Sequence, residues 1–137
     1  MAYWIFKSEP GAYSWDDLQR DGHTGWSGVR NHQASNNMKS MRIGDRGFFY
    51  HSVDDKEIVG VMEVSELYHP DETDKSGRFG MVGVKPVMPV KRKVTLAEIK
   101  ADPDLADLAL VRQSRLSVSP VSPEHWKKLC AMAGIDA

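Results

Sequence analysis

Tyr3-Trp4-Ile5-Phe6-Lys7-Ser8-Glu9-Pro10 is the stretch on which the fold turns. Its first four residues are aromatic or β-branched, the composition of a strand buried in a core. Lys7, Ser8 and Glu9 turn polar, and Pro10 with Gly11 ends the run. Further strands are predicted from Phe48 to Ser52 and from Ile58 to Leu67, joined by the hairpin-like Asp54-Asp55-Lys56-Glu57. A fourth runs from Met81 to Val90. Pro86 and Pro89 confine it to a sheet edge or demand a bulge, because proline cannot donate to a ladder.

Around these strands lie helix signals. Ser14 precedes Trp15-Asp16-Asp17-Leu18, an N-cap with acids in the first turn. Thr95 caps a short helix, Leu96 to Lys100, and Pro103 starts another through Leu110. Ser122-Pro123-Glu124 opens a last helix that runs to Ala133 and is closed by Gly134. Gly22, Gly25 and Gly28 bracket Trp26 in a loop. Asn31 to Met41 reads as a helical turn or an ordered loop, Gly44-Asp45 as a turn, and His69 to Gly77 as a loop. Non-contiguous strands with helices at both ends, no repeat and no βαβ alternation predict an α+β fold. Long-range closure of the strands predicts a small mixed β-barrel with helices packed around it. Residues 1–137 are expected to form one domain, since no linker divides them.

Composition narrows the function classes. The 137 residues are 41% hydrophobic and 27% charged, an ordinary globular balance. One cysteine, Cys130, excludes an intrachain disulfide and reads as a small core side chain. No set of Cys and His has metal-ligand spacing, so no metal and no cofactor is expected. Neither a leader nor a long apolar run is visible, so the expected location is the cytoplasm, away from any membrane. A net charge of -1 argues against a grip on a long phosphate backbone. It leaves room for reading one nucleotide in a pocket with a few local cations.

Four stretches together resemble the EVE domain family. They are Tyr3 to Pro10; Trp26-Ser27-Gly28-Val29-Arg30-Asn31-His32-Gln33-Ala34, continuing through Asn36-Asn37-Met38; Gly44 to Ser52; and Leu110 to Val118. Their order covers nearly the whole chain. The resemblance implies a PUA-like barrel, kinship with YTH domains that hold a methylated base in an aromatic cage, and recognition of modified bases. By position, Lys7-Ser8 and Trp26-Ser27 match the pieces placed around that base, with Trp26 as a cage wall. Phe79 stands where a Trp is expected, and Gly83 where relatives often show an acid.

The expected partner is a nucleic acid or nucleotide carrying a modified base. The candidate base-binding residues are Lys7, Ser8, Glu9, Trp26, Ser27, Asn31, Ser52 and Phe79. A Trp flanked by glycines can stack a base; packed on the barrel, the same residue would be a loop anchor. Glu9 suits an exocyclic amino group, or is a solvated strand-end acid. Asn31 can read a base edge or tie its own loop. Arg112 and Arg115 match phosphate oxygens, or form salt bridges to acids such as Glu63 or Glu66. His51 reads as an ordinary half-exposed histidine, and Trp4, Phe6, Trp15, Phe48 and Trp126 as core. The leading function is a non-catalytic module that binds a methylated base in DNA or RNA. The rival is an amidohydrolase of the ASCH type, with Lys7 and Glu9 near the first strand. It lacks a visible nucleophile, base and orienter.

Overall fold

A computed structural model describes residues 1–53 and 55–137. Asp54, part of the hairpin-like turn, lies outside the described residues. Tyr3–Ser8 is β1, the strand expected from its composition. Trp15–Asp21 is α1; the Ser14 hydroxyl accepts from the Asp17 N–H while the Asp17 carboxylate accepts from the Ser14 N–H, a reciprocal capping box. Thr24–Gly25 is the two-residue β2. His32–Lys39 is α2, capped by the Asn31 side chain, so the helical of the two readings holds there. Arg46–His51 is β3, Glu57–Pro70 is β4 and Gly80–Thr95 is β5. Leu96–Ala101 is α3, with Thr95 as its cap. The expected helix from Pro103 through Leu110 is broken. A 3-10 turn spans Pro103–Leu105, Leu108 is extended, and α4 covers only Ala109–Arg112. Burial explains the break, because Leu105, Leu108 and Leu110 all enter the core and an uninterrupted helix would not aim all three inward. Val118–Val121 is β6, and α5 runs Pro123–Ala133 to an αL cap at Gly134.

The six strands of the described residues form one mixed sheet in the order β2-β5-β4-β3-β1-β6. The class is α+β, as expected, but hydrogen bonds do not close the sheet into a ring; β2 and β6 remain its two edges. β1 runs parallel to β3, with Ile5 opposite Phe48 and Lys7 opposite Tyr50. β6 pairs antiparallel on the other side of β1, with Tyr3 opposite Val121. Pro86 and Pro89 sit opposite Met62 and Gly60, next to register shifts in the β4–β5 ladder. β2 pairs only with Gly83 and Val84, so both prolines lie beyond its reach. Edge and bulge are thus both used.

Alternation along the strands divides the core in two. Trp4, Phe6 and Phe49 join Trp15, Leu18, Trp26, Val29 and Met38 on one face. Ile5, Phe48 and Tyr50 join Ile58, Leu105, Trp126 and Leu129 on the other. Cys130 is buried with the second group, and burial pushes its thiol up. Gly60 permits α1 to dock: a Cβ there would stand 2.5 Å from the Trp15 ring. Asp45 ties the start of β1 to that of β3, accepting from the Ala2 N–H, the Trp4 indole N–H and the Arg42 N–H.

Candidate functional site

Two clefts open at the polar end of β1, one on each side of the sheet. Period-two alternation dictates this: Phe6 and Ser8 look to the face of α1, while Ile5 and Lys7 look to the face of α5. The first cleft encloses about 320 Å³ between Lys7-Ser8, Ala12-Tyr13 and Thr24-Gly25-Trp26-Ser27. That volume lies at the lower end of the roughly 300–1,000 Å³ of small-molecule sites. Ser8 Oγ donates to the Tyr13 carbonyl at 2.6 Å, holding the turn after β1 against the strand. The Tyr13 hydroxyl donates to Asp21 at 2.9 Å. Burial, with the Asp21 carboxylate, pushes the Tyr13 phenol up.

Trp26 is placed by its own loop. Its N–H donates to the Val82 carbonyl at 2.8 Å, continuing the short β2 pairing. Its ring meets Phe6 at 5.2 Å and 70° and Phe49 at 5.4 Å and 84°, both edge-to-face. Only 7% of the residue is exposed. Trp26 thus lines the cleft and is also part of the core, so the stacking position and the loop-anchor packing coincide in one residue. Next to it Gly28 adopts φ 82, a conformation that favours glycine. The Gly28 N–H donates to Asp71 Oδ2 at 2.8 Å, and Arg30 Nη1 reaches the same oxygen at 3.2 Å. Thr73 gives Asp71 Oδ1 both its N–H and its hydroxyl. Burial works to raise the Asp71 pKa, but these donors outweigh it and hold the carboxyl down at about 2. The buried carboxylate thus clasps the Trp26 loop to the β4–β5 connection.

The second cleft encloses about 440 Å³. It holds Glu9 and Ser52 of the expected set, and Lys7 borders both clefts. Lys7 Nζ donates to the Ser114 carbonyl at 2.7 Å and lies 6.0 Å from the centre of the Tyr50 ring. Burial lowers the Lys7 pKa. Ser52 is fixed by its N–H to the Ser8 carbonyl at 2.9 Å. Arg115 lines this cleft and also a shallower one that it shares with Asn31 and Arg112. Asn31 Oδ1 accepts from the Ala34 N–H as the cap of α2. Arg112 lies 3.4 Å from Asp107, both exposed. The salt bridges weighed for Glu63 and Glu66 go elsewhere, to Lys85 and to His23. Phe79 is set apart from Trp26: its ring tilts against His32 at 4.9 Å with Arg30 at 6.0 Å, and it lines a different groove beside Tyr68.

The structure thus brings Lys7, Ser8, Trp26 and Ser27 to one cleft, Glu9 and Ser52 to another, and Asn31 and Phe79 to neither. Sequence reasoning missed Tyr13, the second aromatic side chain of the first cleft, and Tyr50 in the second. Tyr13 follows a Pro-Gly turn and carries no periodic signal; only the fold around Ser8 sets it beside Trp26.

Comparison with known proteins rests on nearly the full length. The family model of the EVE domain matches residues 2–132. The chain belongs to the EVE domain family. Human thymocyte nuclear protein 1 is 30% identical to this EVE chain over 159 residues, which cover 91% of the chain and 71% of the relative. A Rhodopseudomonas palustris protein solved by NMR is 51% identical with a TM-score of 0.92, covering 98% of this chain and 94% of that one. The crystal structure of the human THYN1 protein in complex with 5-methylcytosine-containing DNA matches with a TM-score of 0.92 at 28% identity, over 100% of both chains. A YTH domain of Zygosaccharomyces rouxii shares the fold of this EVE chain at a TM-score of 0.62 and 19% identity, over 96% of this chain and 86% of that one.

Proposed function

We propose that this EVE domain binds a methylated base of DNA or RNA in the first cleft, without catalysing a reaction on it. The observation that carries the reading is the pairing of Trp26 and Tyr13 in one cleft with the polar atoms of Ser8, Thr24 and Ser27. Aromatic rings offer a stacking surface worth about 1–3 kcal/mol per base. A methyl group adds apolar area and polarisability, which stacking on such rings rewards. Hydroxyls at the cleft wall can donate to or accept from a base edge. Lys7, Arg112 and Arg115 lie at the rims, where cations meet a few phosphates while the whole chain stays near neutral. The related human protein in complex with 5-methylcytosine-containing DNA supports the same reading. We further propose that it acts in the cytoplasm. No helix among the described residues is long and apolar enough to cross a membrane.

The test uses Tyr13→Ala, because Tyr13 is only partly buried. Fluorescence anisotropy on matched oligonucleotides with and without 5-methylcytosine should show the wild type preferring the methylated strand. Tyr13→Ala should weaken binding of that strand about tenfold to a hundredfold and shrink the preference. Equal affinity of the wild type for both strands would sink the proposal.

One observation favours the amidohydrolase reading: burial lowers the pKa of Lys7, as a catalytic lysine requires. Against it, the Lys7 ammonium donates to the Ser114 carbonyl on the α5 face, while Glu9 is exposed. Acylated nucleosides incubated with the protein should remain intact; turnover lost in Lys7→Ala would establish the enzyme instead.

A further inference from the structure

The chain as a whole is charge-balanced, with 18 Lys and Arg against 19 Asp and Glu. The second cleft is not. Lys7, Lys56, Lys100 and Arg115 line it, against one acid, the exposed Glu9. Several cations elsewhere are matched: Arg30 pairs with Asp71, Lys85 with Glu63, Lys93 with Glu57, and Lys128 with Asp102. Among the described residues, none of the four cleft cations makes an ion pair. Unmatched cations converging on a concavity mark a place for an anion.

A second observation is independent of charge. Tyr50 is 2% exposed and borders this cleft. Among the described residues its hydroxyl has no hydrogen-bond partner. Burial pushes its phenol up to about 12, so at neutral pH it stays a donor. A phenol hydroxyl without a protein partner at the wall of a cleft is free to donate to an oxygen bound there. Leu96 and Leu110 give the cleft an apolar wall, and about 440 Å³ exceeds the space a bare phosphate fills.

We propose that the second cleft is a binding site for a phosphate-bearing molecule of mononucleotide size, its phosphate held by Lys7, Lys56, Lys100 and Arg115 beside the Tyr50 hydroxyl. The site lies on the opposite face of β1 from the base cleft, shares only Lys7 with it, and does not depend on what the base cleft binds. The phosphate has two conceivable sources: a free nucleotide, or a phosphodiester of a bound strand. The apolar wall of Leu96 and Leu110, which a base can cover, favours the free nucleotide.

Calorimetric titration with adenosine 5′-monophosphate, and separately with an abasic oligonucleotide, distinguishes the sources. The variants are Lys100→Ala and Tyr50→Phe; the first removes an exposed side chain and the second keeps the packed ring. Circular dichroism reports whether each is folded. The expected result is that the mononucleotide binds the wild type and each variant weakens it about tenfold. The preference for methylated over unmethylated oligonucleotide should stay unchanged, since neither residue touches the first cleft. If only the abasic strand binds and the same variants weaken it, the phosphate site stands with the strand as its source. The proposal is overturned if neither probe binds, or if both bind Lys100→Ala and Tyr50→Phe as tightly as the wild type.

Discussion

Trp26 packs edge-to-face on Phe6 and Phe49 while its loop forms one wall of the first cleft. Truncating it removes ring packing from the core, so Trp26→Ala should cost about 3–5 kcal/mol of stability. Urea denaturation measures this directly. Trp26→Phe keeps an aromatic surface and should cost distinctly less. An unchanged urea midpoint for Trp26→Ala would show that the ring carries no core load. Tyr13, joined to Asp21 at the surface, should lose binding with little loss of stability. The pair thus separates base stacking from folding. Trp26 is legible in the sequence as a cleft residue, because glycines on both sides place it in a loop. Its burial is not, because Phe6 and Phe49 arrive from strands far along the chain. Phe79 fails to join Trp26 for the same reason: its partners are His32 at the start of α2 and Arg30 just before the cap.

Among the elements, caps are the most legible feature. Ser14, Thr95 and Ser122 each accept a hydrogen bond from the residue three positions on, as their spacing predicts. These bonds need only one turn of chain. The N-terminus of α1 has a further partner that no spacing reveals: the Trp15 N–H donates to His51 Nε2 at 3.1 Å, across the end of β3. An accepting Nε2 is an unprotonated one. Burial lowers the His51 pKa below 6.5, with the carboxylates of Asp55, Glu57 and Asp16 opposing. The folded state therefore prefers the neutral ring, and its contribution is complete above about pH 6.5 and lost as pH falls through the folded value. Asp71 acts lower down. Its folded pKa of about 2 lies under the 3.8 of an ordinary aspartate, so its contribution is complete above about pH 4 and lost towards pH 2. Thermal midpoints should be flat from pH 8 to 7 and fall in two stages below. His51→Gln should flatten the first stage alone. Asp71→Asn should remove the second and cost on the order of 2 kcal/mol at pH 7, because one of the two oxygens that accept from Gly28, Arg30 and Thr73 becomes a donor. A single-stage profile that neither substitution alters would refute both assignments.

For the whole molecule, near-neutral charge sets how it meets nucleic acid. With Lys7 at the base cleft and Arg112 and Arg115 in the neighbouring clefts as its phosphate contacts, affinity for a single strand should fall with salt at a log–log slope of about −2. Arg115→Ala should bring the slope nearer zero by about one unit, alike for every sequence. A slope near −6 would require a far wider phosphate contact than this surface offers. The α+β class is legible because strands and helices carry local patterns. The parallel pairing of β1 with β3, and the sheet that stays open at β2 and β6, are not, since partner choice is decided by the assembled core. That choice also bears on synthesis. β1 is the first of the six strands to be made, yet one of its neighbours is β6, whose partner residues begin at Val118. At about 5–20 residues per second, β1 waits on the order of ten seconds with that edge unsatisfied. The β1 edge is thus open to chaperones and to wrong pairings until β6, the last of the six strands, is made, and slowing translation between β1 and β6 should lower the yield of folded protein more than slowing it before β1.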